Sequence, residues 1–283
     1  MPKQLVCLAL VAAAAVARPA CATPTRAGHA GLDAAFTTSP HGETVSSFGA
    51  ALQLDADYRF ANGIGALLRG GFVSTTLNVD GTAPRGGTFP GNAFAGITYA
   101  RELGAGFDGR LSLRVGAPLA LFPGGIDQNR LAELAYTMAA SAQGYRDPFV
   151  WQTNALPVVV SAKTALLALD WLTLSFELEP AYVISVNQRP SRLACAAHFD
   201  ATAVAGVIVG HAGFNYFLSS LALENHEFDQ LALRFGAGTT LHGQRVLLDA
   251  AIGLDDPYGA FQSQPHPWWG IILALTANFG PSR

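Results

Sequence analysis

Apolar and polar residues alternate with a period of two over four long stretches of the chain, the pattern of strands with one apolar and one polar face. From Phe48 to Phe60 the even positions are Phe48, Ala50, Leu52, Leu54, Ala56, Tyr58 and Phe60, while the odd ones include Gln53, Asp55, Asp57 and Arg59. From Phe107 to Leu121, Leu111, Leu113, Val115 and Leu119 alternate with Arg110, Ser112, Arg114 and Gly116. From Leu172 to Val186, Leu172, Leu174, Phe176, Leu178, Tyr182 and Ile184 oppose Thr173, Ser175, Glu177, Glu179 and Ser185. The last stretch sets Trp269, Ile271, Leu273, Leu275, Ala277 and Phe279 against Gly270, Thr276 and Asn278. Weaker alternation marks strands at about 30–38, 64–79, 92–103, 156–169, 201–210, 214–223, 231–241 and 245–255. The sum is about 12 strands, with 10–14 as the range, and twelve is an even number suited to a closed antiparallel barrel.

The connections follow their own alternation. Tight turns are expected at Ala61-Asn62-Gly63, Gly104-Ala105-Gly106, Asp170-Trp171, His211-Ala212-Gly213 and His242-Gly243-Gln244. Between them come mostly longer segments, at 80–91, 122–155, 187–200, 224–230 and 256–266. In the longest, 122–155, Asp127 is placed to cap a helix over 127–141. Leu131, Leu134, Ala135 and Met138 form its i, i+3, i+4, i+7 stripe, and Gly144 is its stop. Such a helix has two possible resting places. It can lie on the rim, or fold into the lumen and bring Arg130 and Glu133 to a constriction.

Composition explains what the apolar faces meet. Hydrophobic residues are 50% of the chain and charged residues 13%, against about 25% charged in ordinary soluble domains. Beyond the N-terminus no apolar run is long enough for a spanning helix, so apolar residues that alternate rather than cluster point to strands crossing a membrane. Aromatics gather near strand ends: Tyr58, Phe60, Tyr99, Phe107, Trp171, Phe214, Tyr216 and Phe279 at one, Phe36, Phe48, Phe122, Tyr182 and Trp269 at the other. Two girdles are what interfacial burial of such rings produces. A soluble sandwich or lipocalin-like barrel, with its apolar faces inward, fits neither the low charge nor the girdles.

Lys3, the apolar run Val6–Ala17 and the small-residue site Ala20-Cys21-Ala22 read as a signal peptide over 1–22, leaving 23–283 as one barrel domain. Its removal takes Lys3 and Arg18 and no acid, moving the formal net charge from −3 to −5. That leaves a single lysine, Lys163, and a single cysteine, Cys195. No polybasic signature supports nucleic-acid binding, and one thiol builds no disulfide framework.

The segment Trp268-Trp269-Gly270-Ile271-Ile272-Leu273-Ala274-Leu275-Thr276-Ala277-Asn278-Phe279 resembles the closing strand of bacterial outer-membrane β-barrel proteins, with its near-terminal aromatic. The tail Gly280–Arg283 departs from the pattern, since many members end on the aromatic itself. The resemblance covers about residues 30–279 and is one of class. It implies a cell outer membrane location, outer-membrane lipid around the barrel, and outer-membrane assembly machinery acting on the C-terminal strand that ends at Phe279. It also implies short periplasmic turns and longer extracellular loops.

The polar faces supply the candidate lumen: Asp55, Arg59, Arg69, Arg110, Arg114, Lys163, Glu177, Glu179, Arg234 and Asp249, with Asp57, Asp108, Arg245 and Asp255 beside them. Cations and anions are equal in number there, which argues against strong ion selectivity. If the 61–63 turn pairs Phe60 with Ile64, Asp55 sits opposite Arg69, and the 170–171 turn brings Lys163 beside Glu177 or Glu179. The expected function is passive diffusion of a small solute of unknown identity. The alternatives are a non-conducting structural, adhesion or assembly barrel, and a lipid-modifying enzyme. For the enzyme, His198, Ser191 and Asp200 share an expected outer loop but lack catalytic spacing. Glu224–Asp229 with Asp255 and Asp256 could offer oxygen to calcium, although a solvated acidic loop is the plainer reading. His29, His41, His211, His242 and His266 read as loop or edge residues. No metal-ligand, nucleophile-elbow or P-loop motif occurs, and no cofactor is expected.

Overall fold

The computed structural model of the protein describes residues 27–40, 45–104, 106–121, 126–186, 191–220, 227–241, 244–255 and 266–279. The expected signal peptide, His41, His242 and the tail lie outside them. The strands are β1 (Ala27–Pro40), β2 (Val45–Arg59), β3 (Ile64–Val79), β4 (Arg85–Pro90), β5 (Ala93–Gly104), β6 (Phe107–Ala117), β7 (Ala155–Leu169), β8 (Leu172–Ser185), β9 (Arg192–Ala205), β10 (Ile208–Ser220), β11 (Glu227–Leu241), β12 (Gln244–Asp255) and β13 (His266–Phe279). Each pairs antiparallel with its neighbours, and β1 pairs with β13 to close the ring. β4 pairs with one half of β3 and β5 with the other. These two strands therefore share one stave, broken at Gly91-Asn92, and the barrel has 12 staves.

The alternation read from the sequence sets the two faces. Leu52, Leu54, Leu113, Phe176, Ile271 and Leu273 point outward and are exposed. Asp55, Arg114, Glu177 and Glu179 point into the lumen. Tyr58, Phe60, Tyr99, Phe107 and Trp171 ring the outside at the end of the tight turns, with Phe36, Phe48 and Tyr182 toward the other. The hairpin turns rest on residues that tolerate positive φ, such as Gly63 at +84°. This belt yields a prediction. Leu113→Arg should cost about 2–4 kcal/mol, the penalty for a cation on the lipid face near the midplane. Ser175→Arg, which points into the lumen, should cost much less in the same unfolding titration in lipid vesicles. Equal penalties would contradict the assigned faces.

Three connections differ from the sequence reading. The turn after β9 is Gly206-Val207, not 211–213, and the preceding loop does not extend over 192–200. Residues 192–205 carry alanine on both faces, which mutes the alternation. His211 and Gly213, whose types suggest a turn, belong to β10. The third difference is β4, which forms within the expected loop 80–91 by pairing Arg85–Pro90 with Phe72–Leu77.

Between β6 and β7, residues 126–151 pack inside the barrel. The helix α1 (Ile126–Ala142) packs on the inner faces of β13, β1, β2, β3 and β4 in the half away from the tight turns. Ala132, Ala135, Tyr136, Met138, Ala139 and Ala142 are buried. Tyr145 and a single helical turn, Pro148–Trp151, complete the plug. Opposite them the wall presents small apolar residues, among them Ala35, Ala51, Ala194, Ala196, Ala232 and Ala251. Asn92 sits at the break between β4 and β5 and fastens the plug. Its Nδ2 donates to the carbonyls of Phe149 (3.2 Å) and Gln152 (2.7 Å), and its Oδ1 accepts from Ala120 N (3.0 Å). Tyr136 Oη donates to Pro90 O at 2.9 Å, and Trp151 Nε1 to Gln143 Oε1 at 2.8 Å.

Candidate functional site

Beneath the plug, in the half nearer the tight turns, the lumen holds a cavity of about 470 Å³. That is within the size range of small-molecule sites. Inward residues from β1–β3 and β6–β13 line it, and the plug adds Arg146 and Asp147 as its ceiling. Of the lumen candidates named from sequence, Asp55, Arg69, Arg110, Arg114, Lys163, Glu177, Glu179, Arg234 and Asp249 all line this chamber. Arg59, at the last residue of β2, is not among its lining residues. Arg130 and Glu133 lie on the exposed face of α1, because its alanine, tyrosine and methionine residues take the buried face, and neither lines this chamber. The loop's charged contribution comes from Arg146 and Asp147 instead.

The charges form pairs on two sides of the chamber. Arg114, almost fully buried, donates through Nη2 to both oxygens of Glu179, at 2.8 and 2.9 Å. Its Cζ lies 5.4 Å from the Phe94 ring centroid. Glu179 also faces His198 Nε2 at 3.5 Å. His198 Nδ1 donates to Asn215 Oδ1 at 2.9 Å, and Asn215 Nδ2 in turn donates to Gly144 O of the plug. Next to them Lys163 Nζ stands 3.5 Å from Glu177 Oε2, the cross-strand pair expected from the 170–171 turn. On the far side, Asp200 Oδ1 accepts from Arg234 (2.8 Å) and faces His211 Nε2 (3.0 Å), whose Nδ1 faces Asp249 (3.3 Å).

Register and contact diverge at one expected pair. Asp55 does sit opposite Arg69, but Asp55 contacts His29 at 2.8 Å while Arg69 turns to Asp147 of the plug. Asp147 thus meets two arginines of the wall, Arg69 and Arg114, the latter at 3.4 Å. Its neighbour Arg146 donates to Asp33 of β1 at 2.7 Å. The sequence reading did not place His29, Asp33, Arg146, Asp147, His198, Asp200 or His211 in the lumen. Asp33 falls in the faint strand at about 30–38 and His29 just before it, and Arg146 and Asp147 fall in a segment with no period. For His198 and Asp200 the usable signal was their spacing of two, which puts both on one face of β9; His211 lies in β10 opposite Thr202 and reaches Asp200 diagonally.

Burial pushes the Asp147 carboxyl up, but Arg114 and Arg69, with His198 behind them, pull it further down, below its ordinary value of 3.8. A depressed carboxyl contributes to docking above its ordinary value and loses that contribution as pH falls through the depressed one. The charged and titratable groups around the plug's charged pair include Arg69, Arg114, His198, Asp33, Asp55 and Asp200, with Glu179 beside Arg114. Amide exchange over 144–152 should therefore stay slow from neutral pH down to the ordinary carboxylate range and quicken only below it. Exchange that quickened between pH 7 and 5 would contradict the Asp147 contacts.

No family model and no curated protein matches the chain. Among solved structures, an outer membrane channel from Pseudomonas putida F1 aligns with a TM-score of 0.53 at 12% identity, over 92% of this chain and 97% of that one. The β-domain of the Bordetella autotransporter BrkA aligns with a TM-score of 0.49 at 12% identity, over 90% and 100%. A KdgM porin aligns with a TM-score of 0.46 at 8% identity, over 88% and 99%. The chain has the fold of the bacterial outer-membrane β-barrels.

Proposed function

We propose that the chain is exported through the signal peptide at 1–22, inserts in the outer membrane by way of the C-terminal strand ending at Phe279, and acts as a small-solute channel that rests closed. One observation carries the reading: a charged chamber occupies one half of the lumen, and among the described residues the loop plug stands between it and the other end. A purely structural barrel has no need of more than a dozen charged side chains facing one chamber of the lumen, each carrying a desolvation cost. Cations and anions balance among the lining residues, so the open pore discriminates weakly by charge sign.

An enzymatic role has less support. His198 is held by Glu179 and Asn215, and Asp200 by His211 and Arg234. Ser191 lies beyond the opposite end of β9, where its Oγ accepts from Ser185 N at 3.4 Å. The test is swelling of proteoliposomes in a small neutral sugar. Asp147→Asn, which loosens the plug, should swell faster than the wild type. Should neither that variant nor a plug-free barrel pass the sugar, the transport reading fails and a non-conducting structural role replaces it.

A further inference from the structure

Asp147 occupies a position that its own chemistry does not require the plug to fill. Two arginines from non-adjacent strands, Arg69 of β3 and Arg114 of β6, converge on this one carboxylate, and both also line the chamber. Arg114 keeps a second partner in Glu179. The side-chain pairs of Asp55 and Asp57 are with His29 and Arg110, so neither replaces Asp147 as the ion-pair partner of Arg69. Guanidinium groups bind carboxylates through charge-assisted hydrogen bonds in a geometry that a free carboxylate meets as well as an aspartate does.

We infer that Arg69 and Arg114 form a binding site for the carboxylate of a small anionic solute, and that Asp147 holds the site as a built-in stand-in while the barrel is closed. The inference rests on the channel reading and extends it: a carboxylate entering the chamber competes with Asp147, and its binding releases the plug. The coupling is reciprocal, since ligand and Asp147 exclude one another. With most molecules docked, apparent affinity for the ligand is lowered by the fraction undocked.

Succinate serves as the probe, and succinamide, of similar size but uncharged, as its control. In the wild type in detergent micelles, succinate should speed amide exchange over 144–152 and succinamide should not. By calorimetry, Asp147→Asn should bind succinate at least about tenfold more tightly than the wild type, as expected when an internal competitor is removed. Adding Arg69→Gln to that variant should abolish the gain. The site is disproved if succinate and succinamide act alike on exchange, or if Asp147→Asn binds succinate no tighter. It is also disproved if Arg69→Gln leaves the gain intact. The exchange measurement uses the unmodified protein, so it decides even if the variant fails to fold. Neither measurement needs conductance: succinate-specific release in a barrel that never conducts would uphold the site while the channel reading falls.

Discussion

Replacing residues 122–152 with a short Gly-Ser linker should convert a barrel without resolvable open levels in planar bilayers into one with steady open levels. The two ends of the replaced segment already meet, because Asn154 N donates to Ala120 O at 2.8 Å. The strand pairings that close the ring do not involve the plug. A barrel of twelve strands is wider than the eight-stranded kind whose interior side chains fill it, so emptying the loop half leaves an aqueous path. In the opened barrel, Lys163→Glu should shift selectivity toward cations, since the new acid would stand beside Glu177 with Glu179 nearby. A silent plug-free barrel that still migrates as a folded, heat-modifiable species would end the transport reading.

Glu179→Leu should destabilise the barrel by about 3–5 kcal/mol, the cost of breaking a buried ion pair from one side. The substitution strips the nearly buried Arg114 of its two short hydrogen bonds and leaves it, among the described residues, the longer contact to Asp147 and the Phe94 ring. It also removes the carboxylate facing His198. Pairing it with Arg114→Met should recover part of the loss, because a matched apolar pair is tolerated where a lone buried charge is not. By contrast, Asp57→Asn acts on a pair whose arginine is 35% exposed, and it should change stability by no more than about 1 kcal/mol. Urea titrations in which both single variants lose the same stability would show that the depth of the Arg114 pair does not matter.

The strands with large apolar residues on one face were legible because lipid demands those residues and the lumen demands the others. Leu52 and Leu54 against Gln53 and Asp55 needed no tertiary knowledge. The plug was legible only as a helix with two resting places, yet a sign of its location was present. Toward the loop end the lumen face stops being polar: Asp55 and Gln53 give way to Ala51 and Gly49, Glu177 and Glu179 to Ala181 and Val183, Asp200 and His198 to Ala196 and Ala194. A water-filled lumen has no reason to change from charge to alanine. A wall that must admit the Tyr145, Phe149 and Trp151 rings does, since small inner residues leave room for large ones on the insert. The same alanines blurred the strand at 192–205 and moved the expected turn by several residues. The clamp on Asp147 was not legible, because it joins two wall arginines to a loop aspartate through tertiary packing alone.

A reversible lock tests most directly whether the inserted segment is the gate. A Cβ built at Gly49 of β2 would lie 3.1 Å from Met138 Cβ of α1, within a few tenths of an ångström of the roughly 3.5–4.5 Å that a disulfide spans. In a Cys195→Ala, Asp147→Asn background, Gly49→Cys with Met138→Cys should form a disulfide on oxidation. Recorded in the same bilayer, this protein should be silent while oxidised and show open levels once a reductant is added, closing again on reoxidation. Equal conductance in the oxidised and reduced states, with the crosslink confirmed by mass, would show that the segment does not gate the barrel.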